Sequence, residues 1–246
     1  MSSGNKTVIA FDLYGTLLST ESIAKELATH FGDEKAQSIA ALWRRNHQYI
    51  SPARLRRTRP LALRRRYQQA HESLRLPRHL PRRPPALKTL ARNPSIDAYV
   101  FSNGTDAMVS SSVNQSPALS PHAFVFKGLV TVEEVEAYKP DPRVYAHLAE
   151  RVGKRERGDI WLVSGNPFDV VGARAAGMQA VWIDRAGGHH GKGGWTDKLG
   201  ELAAGGPTVV VKGVDEAVDE IQKWTKDNGG KSGAGLNNEA AALGPG

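Results

Sequence analysis

Cysteine is missing from all 246 residues. Its absence rules out a disulfide framework and any thiolate-ligated metal centre. Also missing is any apolar run of about 18 residues, the length a membrane-spanning helix needs. Residues 1–6 lead into the first apolar stretch with no signal-peptide core, so the expected compartment is the cytoplasm. Acid is scarce in one place only. Across residues 51–85, Glu72 is the single acid against 11 arginines. That segment alone carries +10 while the whole chain sums to +8, so the remainder is slightly acidic. The basicity is local, and a chain of this length holds one α/β domain with an insertion or two compact domains.

What is present begins at Val8-Ile9-Ala10-Phe11-Asp12, where apolar residues run into an acid and Tyr14-Gly15-Thr16 turns the chain. This pattern is a buried strand that ends in a carboxylate. In open α/β sheets, chemistry sits where such strand ends meet a crevice. The alternative is an Asp that only caps the following turn.

Residues 97–102, 160–164, 180–184 and 208–211 read as further short buried strands, with 122–126 as another candidate. Helical spacing occurs over 19–31 (Ile23, Leu27, Phe31) and 34–49 (Ile39, Leu42, Trp43). It returns over 86–90, 107–113, 169–176 and 214–224, and Pro142 suits the first turn of one more helix. Strands alternating with helices predict an α/β fold with a parallel sheet and right-handed crossovers. His189 and His190 lie in a Gly-rich stretch and read as surface loop rather than metal site.

Asp12-Leu13-Tyr14-Gly15-Thr16 resembles the first motif of the haloacid dehalogenase superfamily, and more narrowly that of the (S)-2-haloacid dehalogenases (haloacid dehalogenase type II). Ser102-Asn103, then Tyr138-Lys139-Pro140-Asp141, then Ser164-Gly165-Asn166-Pro167-Phe168-Asp169 match motifs two, three and four in order. The resemblance implies a Rossmann-like parallel sheet core with a small helical cap insertion. The expected core is 1–18 and 86–227, the expected cap 19–85, and residues 228–246 read as a disordered tail.

The resemblance also implies a reaction. Hydrolytic dehalogenation of short-chain (S)-2-haloalkanoic acids gives (R)-2-hydroxy acids through an aspartyl ester, with no metal and no cofactor. Asp12 is then the nucleophile. Lys139 screens the repulsion between that carboxylate and a carboxylate substrate. Ser164, Asn166 and Asp169 orient Lys139 and the hydrolytic water, with Asp169 the one expected to activate it. Thr16 and Ser102 donate hydrogen bonds within the site, and Tyr14 belongs to its substrate-binding residues. Tyr145 matches a family tyrosine at the site, although packing on the core reads equally well. In Trp43-Arg44-Arg45, Arg44 is the halide-binding candidate, with Asn103 as its companion; a surface Arg beside a buried Trp is the other reading. A homodimer is the common family state.

Phosphatases of the superfamily carry a second Asp two residues after the first. Here that place is Tyr14, which can neither ligate a metal as a carboxylate does nor act as a low-pKa acid. Gly165 stands where relatives commonly carry a small polar residue. The cap departs further, because six prolines fall within 51–85 and interrupt helices. That segment reads as a mis-spliced or mistranslated stretch or as a disordered basic insertion. A cap that cannot close leaves the pocket wet and the activity weak. A nucleic-acid-binding insertion is a further reading, but Tyr67 alone is there to stack on bases, which weighs against specific recognition.

Overall fold

A computed structural model of the chain describes residues 6–18, 84–185 and 198–227. The expected helices over 19–31 and 34–49, Arg44, nearly all of the Arg/Pro-rich segment, His189, His190 and the tail lie outside the described residues.

Six parallel strands form one sheet in the order β3-β2-β1-β4-β5-β6. They are β1 (Thr7–Asp12), β2 (Ile96–Ser102), β3 (Phe126–Thr131), β4 (Ile160–Ser164), β5 (Gln179–Ile183) and β6 (Val209–Val211). The helices are α1 (Pro84–Leu90), α2 (Asp106–Gln115), α3 (Pro142–Arg151), α4 (Pro167–Ala175), α5 (Lys198–Ala204) and α6 (Val214–Asp227). Helices on both faces leave β1 buried along its whole length, which is why it reads as a continuous apolar run.

Alternation along β1 divides the core. Ile9 and Phe11 join Val100, Trp161 and Val163 under α1, α2 and α6, while Val8 and Ala10 join Phe101, Leu162, Tyr145 and Val170 under α3 and α4. Full burial of Ile9 and of Phe11 is worth roughly 1.5–3 kcal/mol each in transfer free energy. Asp12 shares the parity of Val8 and Ala10, so its side chain leaves the sheet on the α3/α4 side. The chain adds β2 and β3 on one side of β1, then crosses to add β4, β5 and β6 on the other. Asp12 therefore ends a strand at the point where the strand order reverses, the usual place for a ligand crevice.

Several boundaries differ from expectation: β5 covers Gln179–Ile183 rather than 180–184 and β2 begins at Ile96, and two differences are larger. Residues 122–126 are not a strand: a 3-10 turn covers Ser120–Val125, and β3 starts at Phe126. Pro121 fixes the backbone there and the His122 N–H bonds to the Leu119 carbonyl, which favours a turn over extension. Gly128 hides the true strand from a hydropathy reading, and its missing side chain admits the Tyr99 ring, 3.2 Å from where a Cβ would stand. Thr208 precedes β6 rather than opening it, and is held by the Ala180 N–H on its Oγ1 at 3.0 Å. Helix α5 had no counterpart in the sequence reading. Among the described residues, no helix is long and apolar enough to cross a membrane.

Candidate active site

The Asp12 carboxylate is held differently at its two oxygens. Oδ2 accepts from Thr16 Oγ1 at 2.8 Å, Asn166 Nδ2 at 2.7 Å and Ser164 Oγ at 3.3 Å. Oδ1 accepts from Lys139 Nζ alone among the described residues, at 3.2 Å.

The backbone sets the direction of these bonds. The Gly165 N–H donates to Thr16 Oγ1 at 2.8 Å, and the Asn166 N–H donates to Ser164 Oγ at 3.1 Å. Each hydroxyl accepts from the chain behind it and is left to aim its own proton at Asp12. Asn166 stands at the N-cap of α4 yet makes no side-chain cap bond. Its amide turns instead to Asp12 and to the Tyr14 carbonyl at 3.3 Å.

Lys139 is 1% exposed. Its ammonium lies between Asp12 and Asp169 Oδ2, the latter at 2.8 Å, and donates to the Phe101 carbonyl at 3.0 Å. The Phe101 ring lies below it, 4.0 Å from Nζ to the centroid. Three acceptors match the three ammonium protons. Tyr145 closes the far side by donating to Asp169 Oδ1 at 2.9 Å. Burial, with the Asp12 charge adding to it, raises the Asp169 pKa above its ordinary value against the pull of Lys139. Burial also pushes the Tyr145 hydroxyl well up, with Asp169 adding to the shift, so it stays a proton donor.

A protein-family model described as haloacid dehalogenase-like hydrolase matches residues 6–177. The chain belongs to that family. The (S)-2-haloacid dehalogenase of Pseudomonas sp. (strain YL) is 35% identical over 201 residues, covering 73% of this chain and 83% of that protein. Haloacetate dehalogenase H-2 of Moraxella sp. (strain B) is 30% identical over 204 residues, covering 73% and 86%. Among solved structures, the L-2-haloacid dehalogenase from Xanthobacter autotrophicus aligns with a TM-score of 0.64 at 20% identity, covering 89% of this chain and 99% of that one. The same enzyme with chloropropionic acid covalently bound aligns at 0.63 and 19% identity, covering 88% and 98%. At such identities the structural likeness carries the fold.

In this haloacid dehalogenase-like hydrolase, Asp12, Thr16, Lys139, Tyr145, Ser164, Asn166 and Asp169 form one connected network. Three other candidates sit apart from the Asp12 carboxylate. Ser102 has the parity of Ala98 and Val100 and points to the α2 side, where its Oγ accepts from the Gly104 N–H at 3.1 Å. Asn103 spends its carbonyl oxygen on the Lys139 backbone N–H at 2.9 Å. The Tyr14 hydroxyl pairs with Ser112 Oγ of α2 at 2.9 Å, which turns it away from the carboxylate. Arg44 lies outside the described residues.

Two contributors, Phe101 and Arg185, escaped the sequence reading, and the structure explains a third residue that it did single out, Gly165. The Phe101 carbonyl and ring are invisible to motif matching, because any apolar residue satisfies the strand pattern. Gly165 is tolerated for a steric reason: a Cβ there would stand 2.8 Å from the Gly15 carbonyl oxygen. Arg185 donates to the Gly15 and Thr16 carbonyls, each at 2.5 Å. Its signal was its place two residues past Ile183, the last residue of β5.

Proposed function

We propose that the protein hydrolyses short-chain (S)-2-haloalkanoic acids to (R)-2-hydroxy acids through an ester on Asp12, without a metal ion. The observation that carries this reading is the unequal treatment of the Asp12 oxygens. Oδ2, with three donors, is held as a fixed handle, and Oδ1 is the oxygen left to attack. It displaces the halide from the α-carbon from behind; the halide leaves with the bonding pair and the carbon inverts. Alignment of this kind is worth roughly 7–11 kcal/mol of barrier.

Lys139 lowers the repulsion between the Asp12 carboxylate and the carboxylate of the substrate. In the second half-reaction, water adds to the Asp12 carboxyl carbon and Oδ2 becomes the oxyanion. Thr16, Ser164 and Asn166 already donate to it, an arrangement that needs no reorganisation as charge develops. Asp169, made more basic by burial, takes the proton of that water while Lys139 and Tyr145 hold it. Collapse breaks the bond to the alkyl oxygen, releases the 2-hydroxy acid and restores Asp12 with one oxygen from water. The names of the relatives supply the substrate class.

The test is chloride release from (S)-2-chloropropionate in EDTA, with wild type beside Asp12→Ala. Release by wild type and none by Asp12→Ala is expected. Single turnover in heavy-oxygen water should place the label in the peptide containing Asp12. A strict magnesium requirement, or an unlabelled peptide, overturns the reading in favour of phosphatase-type chemistry or direct hydrolysis.

A further inference from the structure

The turn from Leu13 to Leu18 has to deliver the Thr16 hydroxyl to Asp12. Its ends are tied, by the Gly15 N–H to the Leu18 carbonyl at 2.7 Å and the Leu18 N–H to the Leu13 carbonyl at 2.8 Å, but the amides at its centre are held more weakly. The Thr16 N–H reaches the Leu13 carbonyl only at 3.4 Å, and the Leu17 N–H reaches the Asp12 carbonyl at the same length. Gly15 adopts a positive φ of 87°, which turns the Gly15 carbonyl toward the end of β5. The guanidinium of Arg185 waits there. Nη1 takes the Gly15 carbonyl and Nη2 the Thr16 carbonyl, a two-pronged grip that suits the planar fork of Arg and not a single ammonium point. The grip also depends on Gly165, since a Cβ there would stand 2.8 Å from the Gly15 oxygen and 3.3 Å from Arg185 Nη1.

We infer that Arg185 is a positioning residue for the reaction: it holds the 15–16 backbone so that the Thr16 hydroxyl stays between the Gly165 N–H and Asp12 Oδ2. Its effect passes through Thr16 and not through contact with substrate. Release of the two carbonyls lets water take them, the turn drifts, and the handle on Oδ2 loosens. Binding of the substrate is left largely alone, whereas attack by Oδ1 and stabilisation of the Oδ2 oxyanion suffer. Gly165, the departure from the family's small polar residue, is the companion of this grip.

The inference rests on the dehalogenase reading, and wild-type chloride release tests that reading separately. The experiment is a double-mutant cycle of Arg185→Ala and Thr16→Val on full-length protein, read by kcat and KM for (S)-2-chloropropionate. Arg185→Ala is expected to lower kcat by about ten- to a hundredfold with little change in KM. In the Thr16→Val background, Arg185→Ala should cost almost nothing further. Arg185→Lys, which keeps the charge but not the fork, should recover only part of the loss. A readout independent of turnover is the Gly165 amide resonance, which should move in Arg185→Ala as its Thr16 acceptor shifts. Additive losses in the cycle, a rise confined to KM, or an unmoved Gly165 resonance in folded Arg185→Lys and Arg185→Ala overturns the inference.

Discussion

The Tyr145 hydroxyl occupies the place where a Cβ on Gly172 would stand. Helix α4 thus gives up a side chain so that α3 can reach Asp169, whose Oδ1 and backbone carbonyl both accept from that hydroxyl. Gly172→Ala should force the ring back and break the bond. Steady-state halide release is expected to fall by about ten- to a hundredfold, as removal of an orienting partner commonly does. Tyr145→Phe should show a similar loss with an intact fold by circular dichroism. Full activity in both variants would remove Tyr145 from the site.

Lys139 is the cation that keeps two buried carboxylates together. Lys139→Met leaves Asp12 and Asp169 facing each other uncompensated, and a loss of about 3–5 kcal/mol in stability is expected. Urea unfolding at neutral pH measures it, and halide release should vanish in the same variant. Lys139→Arg should not restore activity, because the Phe101 ring and carbonyl fit a compact ammonium.

Asp169 reports the charge on its neighbour. Burial raises its pKa first, Lys139 opposes that, and Asp12 adds to the rise. A carboxylate with a raised folded-state pKa contributes most below the ordinary 3.8, and its contribution is lost as pH climbs through the folded value. Asp12→Asn removes one cause, so the Asp169 midpoint should move down. Carbon-13 titration of the side-chain carboxyl follows it; an unchanged or higher midpoint would contradict the coupling.

Asp141 works in the opposite direction. It caps α3 by accepting from the Arg143 N–H at 3.0 Å, and the Arg143 side chain holds its pKa below 3.8. Stability from the cap is therefore present above 3.8 and lost as pH falls through the lower folded value. Asp141→Ala should cost about 0.5–2 kcal/mol at neutral pH. The gap from wild type should narrow as pH falls below 3.8, as thermal unfolding followed down an acid series would register.

The parallel sheet was legible because burial on both faces makes β1, β2 and β4 near-continuous apolar runs that end in polar residues. Asp12, Lys139, Ser164, Asn166 and Asp169 were legible because each lies at a strand end or just before or within the first turn of a helix, where motif spacing survives. Ser102 and Tyr14 share those motifs yet sit apart from the carboxylate. Strand parity sends Ser102 to the opposite face, and Ser112, distant in sequence, draws the Tyr14 hydroxyl away. Arg185 was overlooked because its partners are backbone carbonyls, which every residue carries. β3 was misplaced because Gly128 breaks the apolar pattern while making room for Tyr99.

Strand β1 pairs only with β2 and β4, whose first residues are Ile96 and Ile160. During translation this apolar segment emerges long before either neighbour and must wait without a ladder. Such a waiting strand is a liability for aggregation in the nascent chain and a natural client for chaperones. The charged cluster around Asp12 also stays unassembled until Asp169 has been made. Truncated products that stop earlier carry Asp12 without the Lys139–Asp169 pair that borders it.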